Sequence, residues 1–155
     1  MSCKPEFLPP IADLLPHAAP MILLDRVVAL RPDAIETELV IHDASPFCEH
    51  GRVGAWVGIE YMAQSAAALV GADALRAGQP VRVGFLVGTR DYRADTPWFH
   101  RGEVLRVFAE REFQADNGMA AMRCRIARPD GTPLAACLLS VYQPDDVTRF
   151  LHPEA

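Results

Sequence analysis

The stretch over residues 55–77 constrains the fold more than any other part of the chain. It contains no proline, is rich in alanine, and runs directly into Gly78, a residue type that ends helices. The spacing predicts one long helix. Apolar side chains lie nearly all round it, and its first two-thirds holds only three strongly polar side chains, Glu60, Gln64 and Ser65. A helix that is apolar on every side has to be covered on every side, so it belongs at the centre of a fold. The rest of the chain must supply the wrapping.

The flanking segments read as strands. Residues 21–30 are an apolar run broken only by Asp25 and Arg26, and residues 35–39 alternate acids with less polar residues, as a strand with one wet face does. Residues 42–53 read as a loop. After the helix, residues 81–93, 104–115, 119–127 and 134–142 have strand character. Asn117-Gly118 and Pro129-Asp130-Gly131 mark hairpin turns between the last three. Residues 134–142 are almost continuously apolar and are expected mid-sheet or at a subunit contact. Residues 11–15 allow one helical turn, closed by Pro16. The sum is an α+β pattern: a mostly antiparallel sheet packed on one helix, in a single domain over 1–155. One helix covers only one sheet face, so an oligomer is expected.

Composition limits the function classes. The charged residues sum to 15 − 20 = −5 with no Lys/Arg block, which argues against coating nucleic acid or an anionic membrane. No stretch reaches the ~20 apolar residues of a membrane span, and no secretory leader pattern is visible. Cys3, Cys48, Cys124 and Cys137 are scattered without a Cys-x-x-Cys pair, which fits reduced thiols in a cytoplasmic protein and gives no zinc site. No histidine pair has helical metal-ligand spacing, so no metal is expected. His42, His100 and His152 fall in polar loops or the tail.

Chemistry concentrates where the helix begins. Glu60, flanked by Ile59 and Tyr61, is expected to be buried, with its carboxyl biased toward the neutral form that serves as a general acid. Pairing with an arginine for packing alone is the other reading of the same burial. Gln64 lies one turn further along the same face, within hydrogen-bonding reach of that carboxyl. His50, in the preceding loop, is the candidate general base. Between them, Gly54 is expected at the helix N-terminus, where free amides suit a developing oxyanion and a glycine admits close approach. Base, acid and oxyanion donor in one short stretch point to chemistry beside a carbonyl.

Several motifs resemble one known family. Leu15-Pro16-His17-Ala18-Ala19-Pro20-Met21-Ile22-Leu23-Leu24-Asp25-Arg26-Val27 resembles the opening motif of hotdog-fold 3-hydroxyacyl-acyl-carrier-protein dehydratases. Glu60-Tyr61-Met62-Ala63-Gln64 resembles their central-helix motif, and Gly84–Gly88 with Phe99–Leu105 the strand pair that follows. The short form is most similar to the dehydratases of aryl polyene pigment clusters. The resemblance covers residues 11–142. It implies a hotdog dimer, of like or unlike subunits, with the active site at the interface, the histidine from one subunit facing the acid of the other. It also implies a 3-hydroxyacyl thioester substrate delivered by acyl carrier protein, a trans-2-enoyl product, and no cofactor, since phosphopantetheine arrives with the substrate.

Carried over, His50 is the base, Glu60 the acid, Gly54 the carbonyl donor and Gln64 the residue that orients the acid. The segment between His50 and Glu60 is shorter here than in the family, and His17 is the next candidate base. Phe85, Leu86, Val87 and Trp98 offer apolar surface for an acyl tunnel, or ordinary core. Arg90, Arg93 and Arg101 are the candidate docking patch for an acidic carrier protein. A hotdog thioesterase, with Glu60 activating water, and a non-catalytic hotdog subunit are the competing functions.

Overall fold

The computed structural model describes residues 7–154. A short helix α1 (Ile11–Leu14) precedes strands β1 (Arg26–Arg31) and β2 (Ala34–Val40). A three-residue strand β3 (Arg52–Gly54) and a 3-10 turn (Ala55–Val57) lead into the long helix α2 (Gly58–Arg76). Strands β4 (Phe85–Ala94), β5 (Trp98–His100), β6 (Val104–Gln114), β7 (Met119–Ala127) and β8 (Pro133–Tyr142) follow, and α3 (Val147–Leu151) comes last.

Six strands form one antiparallel sheet in the order β1-β2-β6-β7-β8-β4, and β3 pairs with β5 in a separate ribbon. The expected α+β arrangement of an antiparallel sheet around one long helix is therefore present. The apolar β8 lies inside the sheet, as its composition required. β4 stands at the sheet edge, and its pairing with β8 slips twice, between Leu86 and Gly88 and between Arg90 and Arg93.

The inward faces of the strands supply the core. Leu105, Val107 and Ala109 of β6, Met122, Cys124 and Ile126 of β7, and Leu139 of β8 pack with Met62, Ala66 and Leu69 of α2. Burying each of the larger aliphatic side chains among these is worth about 1.5–3 kcal/mol, so the helix-sheet contact contributes substantially to stability. Polar groups fasten the helix in place. Ser65 and Thr37 share a buried 2.6 Å hydrogen bond, and Arg111 of β6 bridges Asp33, at 3.0 Å, to Asp73 near the end of α2. The α1–α2 crossing is close because position 71 is glycine: a Cβ there would meet the Leu14 carbonyl oxygen at 2.0 Å.

Three expectations need correction. The segment 21–25 is not a strand: β1 begins at Arg26, Asp25 is bonded to Glu38 and Val40 of β2, and Met21 and Leu23 are tied to Gln64 of α2 instead. The loop reading of 42–53 missed β3, a strand too short to show a period-two pattern. The helix is not covered all round: Ile59, Ala63, Ala67 and Val70 form a stripe that is only partly buried in the single chain. Ala63, Ala67 and Val70 of that stripe line a cavity, and β4 leaves one edge of the sheet unpaired among the described residues.

Candidate active site

Glu60 stands in the first turn of α2, and its side chain is 41% exposed rather than buried. It faces a cavity of about 170 Å³ whose lining includes Pro16, His17, Ala63, Ala67, Phe85 and Tyr142. His17 Nε2 lies 3.9 Å from Glu60 Oε1, with the imidazole 31% exposed and its Nδ1 buried without a partner among the described residues. The histidine facing the acid within the chain is thus His17, the second candidate.

Gln64 makes this geometry rigid. Its side chain is fully buried, and all the polar capacity it aims inward is used. Nε2 donates to Glu60 Oε1 at 3.1 Å and to the Met21 carbonyl at 2.7 Å, while Oε1 accepts from the Leu23 N–H at 2.9 Å. One amide therefore orients the carboxyl and pins the segment that follows His17 onto the helix. The bonds to Met21 and Leu23 also settle which end of the amide is which, since reversing it would set oxygen against oxygen. Sequence spacing had linked Gln64 to Glu60 one turn away; its hold on residues 41 and 43 positions earlier carried no local signal.

His50 lies elsewhere. Reciprocal backbone bonds between Glu49 and Arg52, at 2.9 and 3.2 Å, close a two-residue turn with φ of 53° at His50 and 74° at Gly51. Positive φ at both central positions is the geometry of a tight hairpin that matches strand twist. This places His50 exposed at the hairpin tip, outside the lining of the Glu60 cavity.

Gly54 is also outside that lining. It caps the 3-10 turn, one turn before α2 proper. The bonds from Ala55 N to Pro97 O and from Arg101 N to Gly51 O make Gly54–Trp98 a non-hydrogen-bonded pair, so the Gly54 N–H points out of the ladder. The glycine lets the exposed Trp56 indole lie over the backbone, within 2.0–2.3 Å of where a Cβ would stand. Trp56 meets Trp98 edge to face at 5.6 Å, and the Arg52 guanidinium sits 3.8 Å over the Trp98 ring.

Of the expected tunnel residues, Phe85 and Leu86 line the Glu60 cavity, Val87 is exposed, and Trp98 belongs to the β3–β5 ribbon. Of the arginines, Arg101 is held by Asp43 at 3.0 Å; Arg90 and Arg93 are exposed on β4 and meet no carboxylate at ion-pairing distance among the described residues. Arg82, Tyr142 and Gln143 complete the far wall of the cavity and had not been singled out. Among the described residues no group of His, Cys, Asp and Glu is arranged to hold a metal, and no helix is long and apolar enough to cross a membrane.

The sheet order and the central helix define a hotdog fold, and solved structures of that fold superpose on the chain. A hypothetical thioesterase with coenzyme A from Streptococcus pneumoniae gives a TM-score of 0.58 at 11% identity, over 76% of this chain and 84% of that one. The PaaI protein of E. coli, from the phenylacetic acid degradation operon, gives 0.60 at 9% identity, over 75% and 80%. These likenesses concern the fold alone. A much stronger one is to the dehydratase heterocomplex ApeI:P of Xenorhabdus doucetiae: TM-score 0.87, 26% identity, covering 95% of this chain and 99% of that one. The ApeP-like family, described as the ApeP dehydratase, matches residues 9–152, and the chain belongs to that family. No curated protein sequence gives a significant match.

Proposed function

We propose that the chain is the acid-bearing subunit of a dehydratase that converts a 3-hydroxyacyl thioester on acyl carrier protein into the trans-2-enoyl thioester. The observation that carries this is the His17–Glu60 pair, 3.9 Å apart beside a cavity and locked by Gln64. In this reading His17 Nε2 removes a proton from C2 of the substrate. The C2–H electron pair becomes the C2=C3 double bond, the C3–O bond breaks, and Glu60 protonates the departing hydroxyl, which leaves as water. The pair is left as imidazolium and carboxylate at ion-pairing distance, so one proton moving from His17 to Glu60 resets it.

Membership of the ApeP-like family supports the dehydratase reading, as does the likeness to a dehydratase heterocomplex. The open stripe on α2 and the free edge of β4 fit a second hotdog subunit, of unlike sequence in the structural relative. A subunit in that position would shield the half-exposed Glu60. The phosphopantetheine arm belongs to the substrate, and no resident cofactor is required.

Incubation of the chain, alone and with a partner subunit, with 3-hydroxyacyl carrier protein tests the reading by intact mass. Loss of the mass of one water is the expected result. Release of free acid would make the protein a thioesterase; water loss in the complex that Glu60→Gln in this chain leaves intact, or unchanged substrate under both conditions, would make it a non-catalytic subunit; each overturns the proposal.

A further inference from the structure

The far end of the cavity is built by a device that the elimination chemistry does not use. The cavity runs along α2 past Ala63, Ala67 and Val70, about 15 Å of helix from Glu60 to Val70 at ~1.5 Å per residue. Its opposite wall is formed by Phe85 at the start of β4 and Tyr142 at the end of β8, which face each other in register. Neither ring stands alone. Phe150 of α3 packs against both, 5.0 Å from Phe85 and 5.2 Å from Tyr142 between ring centres. Asp146 caps α3 by accepting from the Arg149 N–H at 3.0 Å, and Gln143 Nε2 donates to the Arg82 carbonyl at 3.1 Å. The wall is thereby buttressed from behind by a residue that does not itself line the cavity.

We infer that Phe150 is a specificity-determining positioning residue: by holding the Phe85 and Tyr142 rings, it limits the size of the acyl group that fits beside Glu60. The inference rests on the dehydratase reading for its substrate class, but the wall exists whatever the chemistry. About 170 Å³ is small beside the ~300–1,000 Å³ of typical small-molecule sites, so the position of two aromatic rings decides what enters. Aromatic pairs at these separations are worth about 0.5–1.5 kcal/mol beyond their buried area, enough to hold the rings without a covalent tie. Phe150 is 45% exposed, so truncating it leaves the core intact.

The test compares wild type with Phe150→Ala and Phe150→Leu on 3-hydroxyacyl thioesters of increasing acyl length. For Phe150→Ala, kcat/KM for the longest substrate relative to the shortest should rise about tenfold, through KM, with kcat on the shortest unchanged. Phe150→Leu should restore part of the wild-type preference. Parallel changes across the series, or none, would overturn the inference. Calorimetric binding of non-reacting acyl-pantetheine thioesters separates this from the chemistry. Should wild type bind them yet leave the 3-hydroxyacyl thioesters unconverted, the dehydratase reading fails, while a shift in length preference in Phe150→Ala still upholds the buttress. Absence of any binding by wild type would sink the inference.

Discussion

Gln64 has two amide hydrogens and one carbonyl oxygen, and all three are engaged where polar groups have few alternatives. Replacing it with leucine leaves the buried Leu23 N–H without an acceptor, at a cost of about 1–3 kcal/mol. The expected result for Gln64→Leu is a lowered unfolding midpoint together with reduced turnover, since Glu60 loses its orienting donor as well. An unchanged midpoint by scanning calorimetry would show that the amide is dispensable to the fold. Glu60→Gln should behave oppositely: the side chain is part-exposed, so stability stays near wild type, while turnover falls by about 10²–10⁴-fold with loss of the acid. His17→Ala should be similarly impaired. A fully active His17→Ala alongside an inactive His50→Ala would transfer the base to the hairpin tip, from which it would serve another subunit. His50 is near Glu60 in sequence and His17 is not. The contact that brings His17 in runs through an amide 41 residues from Leu23, and no local pattern carries such a link.

At the level of elements, α2 and the long strands were legible because each has enough residues to display its period. β3, β5 and α3 were not: three- and five-residue pieces are fixed by tertiary partners, the first two by each other and α3 by the Phe85–Tyr142 pair. The β7–β8 ladder sets Cys124 directly opposite Cys137, both buried. Burial raises both thiols, Cys137 from 9.0 to about 11. At pH 8 a thiol at that value is ionised to about one part in a thousand, so both should resist iodoacetamide until denaturant is added, as read by peptide mass. Rapid labelling of either in the native protein would contradict the packing. The folded state prefers the protonated thiol, so the Cys137 contribution to stability is whole below pH 9 and is lost as pH climbs toward 11. The fall in unfolding midpoint over that range should be shallower in Cys137→Ala.

Across the whole molecule, an acidic chain still carries exposed cations with no carboxylate at ion-pairing distance among the described residues. Arg101 is neutralised by Asp43, which leaves Arg90 and Arg93 of the original three as docking candidates. Reversing both to glutamate should raise KM for acyl carrier protein substrates while leaving acyl-pantetheine unaffected, with the difference shrinking at high salt. Equal effects on both substrates would place the two arginines outside docking. The antiparallel sheet, the helix at its centre and the motif that carries Glu60 could be read from the chain, because burial and turn chemistry leave local marks. The half-open face of the helix could not, because the wall opposite it, Phe85 and Tyr142, comes from strands that lie further along the chain.

The two slips in the β4 ladder bear on what can extend the sheet at that margin. A straight, regular margin would zip onto almost any extended segment, including its own copies. This margin is stepped twice, and Asp91 between its two arginines adopts a φ of 53° that no regular strand keeps. Any chain that extended the sheet here would have to follow those steps to seat along its full length, so the irregular border disfavours indiscriminate edge-to-edge association.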